Sequence, residues 1–334
     1  MLARKRTRYL PYKIYIHMEC SRRSFLRAAV GSMLVSSGQG GTSGPLYAFP
    51  LQTSEHCASE PMPYHLAYQR WAEWREGVLH IRDFEDFELS GSGFIKRVFY
   101  RKNGPVVLIL HELPGLTIRC VELGQRLFEA GFSPIMPLLF GSPLAWDVTM
   151  GMTDPGVHVF RNESHPVQSW LDCLVYDLSV RFHNLMHHGI GVIGMCLTGV
   201  TPLALLKHKL VTAPIVSQPA VPLTSPWLPW GRSDLGLSKA DLATAKERVR
   251  NDHIDILAFR FRNDSKSPAE RFRSLEHQFA PYFKGTVIQS PQECFAIDSA
   301  AHAVLTEEYR ACPQDHPTHR AFREVVSFLL EKLD

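Results

Sequence analysis

Gly189-Ile190-Gly191-Val192-Ile193-Gly194-Met195-Cys196-Leu197-Thr198-Gly199 is the stretch on which the fold reading turns. Its first half is a short apolar run rich in β-branched residues, its second half a group of small residues around one cysteine, and residues 200–208 read as helix. A strand, a tight turn and a helix in that order put the Cys196 thiol on the turn. Gly194, two residues earlier, lets the backbone bend there without a Cβ clash. A cysteine so held points its sulfur off the sheet edge beside a helix N-terminus, whose partial positive charge favours thiolate. The competing reading is an ordinary buried cysteine, the commoner fate of that residue. The turn alone does not separate the two.

Working outward, 334 residues with 45% apolar content are ample for a large core. Charge is unevenly spread. Residues 1–27 carry eight basic side chains against Glu19, a local +7 in a chain of net +3, so the remainder carries −4. A mildly acidic body has no nucleic-acid footprint. The seven cysteines are too few and too irregularly spaced for a disulfide framework, and no CxxC pair supports structural zinc.

Ser21-Arg22-Arg23-Ser24-Phe25-Leu26, a short apolar run from Ala28 to Val35 and a Gly/Ser-rich tail resemble a twin-arginine export signal. Met18 stands just before it, and starting there would give the usual short basic region. The apolar run is far below the roughly 20 residues a membrane helix needs, so no stable membrane span is expected. Residues 1–49 are read as a leader, disordered or removed, with a periplasmic or secreted location as its consequence and a cytoplasmic one as the alternative. Residues 50–77 form an aromatic, Pro-containing lead-in, and residues 78–334 form the main domain.

Within that domain, residues 78–81 and 93–100 read as strands, with Asp83, Glu85, Asp86 and residues 90–92 as turn material. Residues 105–110 are an uninterrupted apolar run, as in a strand buried on both faces of a parallel sheet, and end in His111-Glu112-Leu113-Pro114-Gly115-Leu116. Helix 117–130, strand 132–137, helix 169–188, strand 211–216, a Pro/Trp-rich loop at 220–236, a Ser238-capped helix to residue 250, strand 255–261, helix 269–279, strand 286–289 and helix 317–333 follow. Alternating strands and helices make the class α/β with a mostly parallel sheet flanked by helices on both faces. His183, His187 and His188 have metal-like spacing, but three histidines before the stop Gly189 suit a helix C-terminus, so no metal is expected there.

Cys196, Asp264 and His302 all fall at or beyond strand ends, in the chain order nucleophile, acid, histidine. The chemistry needs each: a thiol to lose its proton, an imidazole to take and return it, and a carboxylate to hold the imidazole in one tautomer. Asp255 and Asp298 compete for the acid's place; Asp264 is favoured because it stands just past its strand.

His111-Glu112-x-x-Gly115-Leu116, Phe140-Gly141, Gly194-x-Cys196-Leu197-x-Gly199, Asp264-x-x-x-Pro268 and Ala301-His302 together resemble the dienelactone hydrolase family of α/β-hydrolases. The resemblance covers about residues 78–334 and implies the α/β-hydrolase fold. It implies Cys196 as nucleophile, His302 as base, Asp264 as its orienting acid, and Glu112 as a carboxylate paired with the resting thiol. It places the oxyanion hole at the backbone N–H groups of Leu113 and Leu197. The activity implied is hydrolysis of a lactone or small carboxylic ester through an acyl-enzyme, with no cofactor and no metal, by a monomer or small homo-oligomer. Two positions depart from the family pattern. Thr198 replaces a glycine of the elbow, and Thr306 stands where an arginine helps bind a lactone carboxylate, so Arg310 or another basic residue would have to take over. A spoiled elbow defines the alternative, a catalytically weak binding protein of the same fold.

Overall fold

The computed structural model describes residues 81–141, 143–144, 166–220, 231–289, 297, 300–311 and 315–334. The expected leader, its twin arginine, the lead-in, residues 221–230 of the Pro/Trp loop and Asp298 lie outside the described residues.

In chain order the elements are β1 (Glu85–Gly91), β2 (Phe94–Tyr100), β3 (Val106–Leu110), α1 (Ile118–Glu129), β4 (Ser133–Pro137), α2 (Pro166–Arg181), β5 (Ile190–Met195) and α3 (Thr201–Ala204). They continue with β6 (Val211–Ser217), α4 (Lys239–Asn251), β7 (Ile256–Phe261), α5 (Ala269–Phe279), β8 (Phe283–Ile288) and α6 (Pro317–Leu333). One eight-stranded sheet has the order β1-β2-β4-β3-β5-β6-β7-β8. The first two pairings are antiparallel and the rest parallel.

The central parallel strands β3 and β5 are apolar and buried throughout because both faces are covered. Along β3, Val106, Leu108 and Leu110 enter one core layer with α2, α4 and α5, while Val107 and Ile109 enter the other with α1 and α6. Each fully buried Leu, Ile or Val is worth about 1.5–3 kcal/mol of transfer free energy, so these strands are held at the centre of the sheet. Local signals start the helices: Ser238 caps α4 as expected, accepting from Asp241 N at 3.0 Å, and Thr117, expected as the first helical residue, caps α1 by accepting from Cys120 N at 3.4 Å.

Several expectations need correction. Glu85, Asp86, Ser90 and Gly91 are not turn material but part of β1, an edge strand whose wet face carries the charges. Arg97 across the ladder pairs with Asp86 at 3.4 Å and Glu88 at 3.5 Å, while Phe87 and Leu89 pack on the core. Ile81, expected in a strand, lies in a 3-10 turn, Ile81–Asp83. The helix expected over 169–188 runs from Pro166 to Arg181 and is followed by a separate 3-10 turn at His183–Leu185, so the three histidines share no helical face. The helix expected after Cys196 breaks into the one-turn α3 and a 3-10 turn at Leu205–Lys207, leaving little macrodipole beside the thiol. The last strand starts at Phe283, three residues early, because Lys284 and Gly285 sit on an exposed edge and conceal the apolar pattern. No helix among the described residues is long and apolar enough to cross a membrane.

Candidate active site

The six parallel strands put their carboxyl ends on one edge, where open α/β sheets place their ligands. Leu110 of β3 pairs with Gly194 of β5, and Gly194 with Val216 of β6, so the residues after each strand meet there.

Cys196 follows β5 directly and has φ +52°, the left-handed conformation that a non-glycine residue reaches at a cost of about 1–2 kcal/mol. The strain is on the cysteine itself, and Gly194 serves another purpose. A Cβ at Gly194 would lie 2.3 Å from Thr198 O, and one at Gly199 would lie 2.5 Å from Pro219 Cα. Both glycines are required by close backbone approach. Cys196 O accepts from Gly199 N at 3.0 Å and from Ala220 N at 2.8 Å, fastening the elbow to the end of β6. The thiol-bearing residue is partly exposed.

Thr198 is fully buried, and its hydroxyl is used. It accepts from Met195 N at 3.0 Å and donates to Leu110 O at 2.9 Å, linking the elbow to the end of β3. The departure from the family pattern is thereby absorbed.

Glu112 is buried on the loop after β3. Thr306 Oγ1 donates to its Oε1 and Gln218 Nε2 to its Oε2, the latter at 3.3 Å. Burial lifts the carboxyl above the ordinary carboxylate range, although the His302 imidazole and the two hydrogen bonds act the other way. His111 pins this loop: Nε2 accepts from Leu139 N at 3.0 Å, which leaves the proton on Nδ1 to donate to Glu112 O at 3.1 Å. Leu113 and Leu197 stand on adjacent loops, one residue beyond Glu112 and Cys196, and both pack against the core.

Asp264 lies past the end of β7 and is buried. Its Oδ1 accepts from Lys266 N at 2.9 Å and Ser267 N at 3.1 Å, while Oδ2 accepts from His302 Nδ1 at 2.6 Å. One carboxylate therefore shapes its own turn and holds the imidazole. Arg260 supports the turn from below, donating from Nε to Ser267 O at 2.7 Å and from Nη2 to Arg262 O at 3.1 Å. Asp255 sits at the opposite end of β7, bound to Lys332 at 2.7 Å and Lys284 at 2.9 Å, and is out of reach of this edge.

His302 is buried. Burial disfavours its charged form, but negative charge on Cys196 and the Asp264 carboxylate outweigh that and push it up to about 10. Its Nε2 is buried with no well-formed hydrogen bond. A His302 ring nitrogen, Cys196 Sγ and a Glu112 carboxylate oxygen all lie within 4.8 Å of one another. Since Nδ1 is committed to Asp264, Nε2 is the nitrogen turned to the sulfur. The histidine loop is held by Gln218 Oε1, which accepts from Val304 N at 3.3 Å, and by Arg126 Nη2, which donates to Leu305 O at 2.6 Å.

The expected stand-in for the lactone-binding arginine, Arg310, is turned away, donating to Glu307 O and Tyr309 O at 2.8 Å each. A different guanidinium is available. Arg271, on the first turn of α5, is 1% exposed, and its Nε and Nη2 have no partner. Burial lowers it to about 10, opposed by Asp234 and Cys196, so it stays charged at neutral pH within the field of the thiol.

The sequence thus pointed to Cys196, Asp264, His302 and Glu112, and the structure brings these four together. It missed Gln218, Arg260 and Arg271. Only Gln218 left a trace, as the first polar pair, Ser217-Gln218, after an apolar strand.

No family model matches the chain, and no curated protein sequence matches it. Solved structures do. A Klebsiella pneumoniae protein assigned to the dienelactone hydrolases has a TM-score of 0.50 at 16% identity, over 74% of this chain and 99% of its own. A cold-adapted esterase from an Arctic intertidal metagenomic library has a TM-score of 0.51 at 13% identity, over 75% and 94%. A Pyrococcus furiosus esterase has a TM-score of 0.50 at 14% identity, over 87% and 100%. With the eight-stranded, mostly parallel sheet, these likenesses show that the chain has the α/β-hydrolase fold.

Proposed function

We propose that this protein hydrolyses a lactone or small carboxylic ester through a covalent Cys196 acyl-enzyme. The observation that carries the reading is Asp264 Oδ2 at 2.6 Å from His302 Nδ1, with the other imidazole nitrogen facing a thiol held at positive φ. The solved structures similar in fold include esterases and a protein assigned to the dienelactone hydrolases, which supports the same class of reaction.

In this scheme His302 Nε2 carries the proton of Cys196, and the thiolate adds to the substrate carbonyl carbon. The N–H groups of Leu113 and Leu197 donate to the resulting oxyanion, each worth about 3–4 kcal/mol of barrier by analogy with other acyl-transfer sites. Collapse re-forms the carbonyl and breaks the single bond from its carbon to the alkoxy oxygen, and His302 gives its proton to the departing alkoxide, which in a lactone stays tethered to the acyl group. His302 then takes a proton from water; the hydroxide displaces the sulfur and releases the carboxylic acid. Asp264 orients the imidazole throughout. Glu112, within 4.8 Å of the sulfur and of a His302 ring nitrogen, pairs with the resting thiol and helps activate it as substrate arrives, while the proton itself goes to His302.

Arg271 supplies fixed positive charge in the field of the thiol, and a buried guanidinium with two free N–H groups matches a planar carboxylate. The scheme therefore favours esters that carry a second, anionic group. The seated and satisfied Thr198 hydroxyl supports this reading over the binding-only alternative, which supposes a spoiled elbow.

The test is p-nitrophenyl ester turnover by the wild type and Cys196→Ala, with intact-mass detection of the acyl-enzyme. Equal turnover by both proteins would sink the proposal.

A further inference from the structure

Three atoms that the proposed reaction uses for acyl transfer also form a set of metal donors. Cys196 Sγ, a ring nitrogen of His302 and a carboxylate oxygen of Glu112 lie within 4.8 Å of one another. His302 Nε2 is buried without a well-formed hydrogen bond and faces the sulfur, so a metal that displaces its proton meets a nitrogen donor where the other two donors converge. We propose that this trio binds one thiophilic divalent cation, Zn2+ being the best match, and that its occupancy reversibly switches the thiol off.

The distances suit such an ion. Zn2+ sits about 2.3 Å from thiolate sulfur and about 2.0–2.2 Å from imidazole nitrogen or carboxylate oxygen, which spaces tetrahedral donors roughly 3.3–3.7 Å apart. Separations of at most 4.8 Å need to close by roughly 1 Å, within reach of torsions at Cys196 and Glu112. A thiolate, an imidazole and a single carboxylate favour Zn2+ over Mg2+ or Ca2+, which take oxygen ligands.

The surroundings already hold the donors in place. Metal-binding histidines donate their other ring N–H to a carboxylate, which fixes the tautomer, and His302 Nδ1 does this to Asp264 Oδ2 at 2.6 Å. The Glu112 carboxylate is held by Thr306 and Gln218. The geometry that orients a general base is the geometry that orients a ligand. The consequences are opposed, however: coordination takes the lone pairs of Sγ and Nε2, and acyl transfer needs both.

The inhibition, though not the binding, rests on Cys196 being the nucleophile. The probe is Co2+, which reports sulfur ligation by a thiolate-to-metal charge-transfer band in the near ultraviolet, followed by displacement with Zn2+. In the metal-stripped full chain we expect saturation at one equivalent, loss of ester turnover in parallel, and recovery with a chelator. Cys196→Ser abolishes the band. Glu112→Gln keeps the band but weakens Zn2+ binding about tenfold or more, and Asp264→Asn weakens it about 10–100-fold. Absence of the band at saturating Co2+ overturns the proposal. So does unchanged Zn2+ affinity in both Cys196→Ser and Glu112→Gln, which would place the ion elsewhere. Protein that turns over no ester when metal-free yet shows the band once Co2+ is added leaves the metal site standing and removes the hydrolase reading; turnover without the band does the reverse.

Discussion

Asp264→Asn tests the proposed mechanism at one atom. Asp264 Oδ1 accepts two backbone N–H groups, from Lys266 and Ser267, and Oδ2 accepts from His302 Nδ1. Asparagine has one acceptor oxygen. Placing its NH2 against the two loop amides would lose both bonds, about 1 kcal/mol each, and would set donor against donor. The oxygen therefore stays on the loop, and the NH2 faces His302 Nδ1. That nitrogen must then accept, the ring proton moves to Nε2, and Nε2 can no longer take the thiol proton. The negative charge that helps hold the imidazolium is lost at the same time. A wrong tautomer in a nucleophile–histidine–acid triad costs about 10^4-fold in kcat, or about 5.5 kcal/mol; since sulfur is a better nucleophile than a hydroxyl, we expect kcat/KM to fall about 10^3–10^4-fold. The loop bonds survive, so unfolding free energy should change by no more than about 1 kcal/mol. Steady-state hydrolysis of p-nitrophenyl acetate reads the first quantity, iodoacetamide alkylation of Cys196 reads thiolate availability, and urea unfolding reads the third. An Asp264→Asn protein that unfolds like the wild type yet keeps kcat/KM within about tenfold of it would refute the reasoning.

Thr198→Val keeps the shape but leaves Met195 N without its acceptor in a buried site, and should cost about 1–3 kcal/mol in urea unfolding, with Thr198→Ser close to wild type. Arg271→Met removes a buried charge with two unpartnered nitrogens, so the ligand-free protein should gain about 1–3 kcal/mol of stability while its preference for carboxylate-bearing over neutral esters, read as a kcat/KM ratio, collapses; an unchanged ratio would remove Arg271 from substrate recognition. His316 caps α6 by accepting from Thr318 N at 3.3 Å, and burial, with Arg310 adding to it, lowers it to about 4. The unfolded chain binds that proton near pH 6.5 and the folded one does not until about 4, so stability should be full above 6.5 and fall on acidification to pH 4 by about 3 kcal/mol at most, or about 2 once solvent screening is allowed for. His316→Asn, which caps without titrating, should lose that part of the pH dependence in urea melts at pH 7 and pH 4.5.

Much of this protein is written in local patterns. The runs 106–110 and 190–195 are apolar without a break because both faces of a parallel strand are covered, and such a run is recognisable wherever it stands in a chain. β1 hides its strand character for the converse reason: an edge strand has one wet face, and Glu85, Asp86 and Glu88 mimic a turn. After Cys196 the helical periodicity continues through residues 200–208 while the backbone breaks into two short turns, so the pattern overstates the helix.

The sequence by itself determined the alternation of strand and helix, the order of Cys196, Asp264 and His302, and the small residues that a sharp elbow needs. Only the tertiary structure decided between Asp264 and Asp255, because strands carry acids at both ends and the sheet alone says which end faces His302. It alone turned Thr198 from a defect into a link between β5 and β3, and Thr306 from a missing arginine into a donor to Glu112, 194 residues away. Such bonds follow from which strands lie side by side, and no local period records that adjacency. The elbow at Cys196 could be recognised from eleven residues, but the groups that set the chemistry of its sulfur come from the ends of β3, β6 and β7, the loop beyond β8 and the first turn of α5.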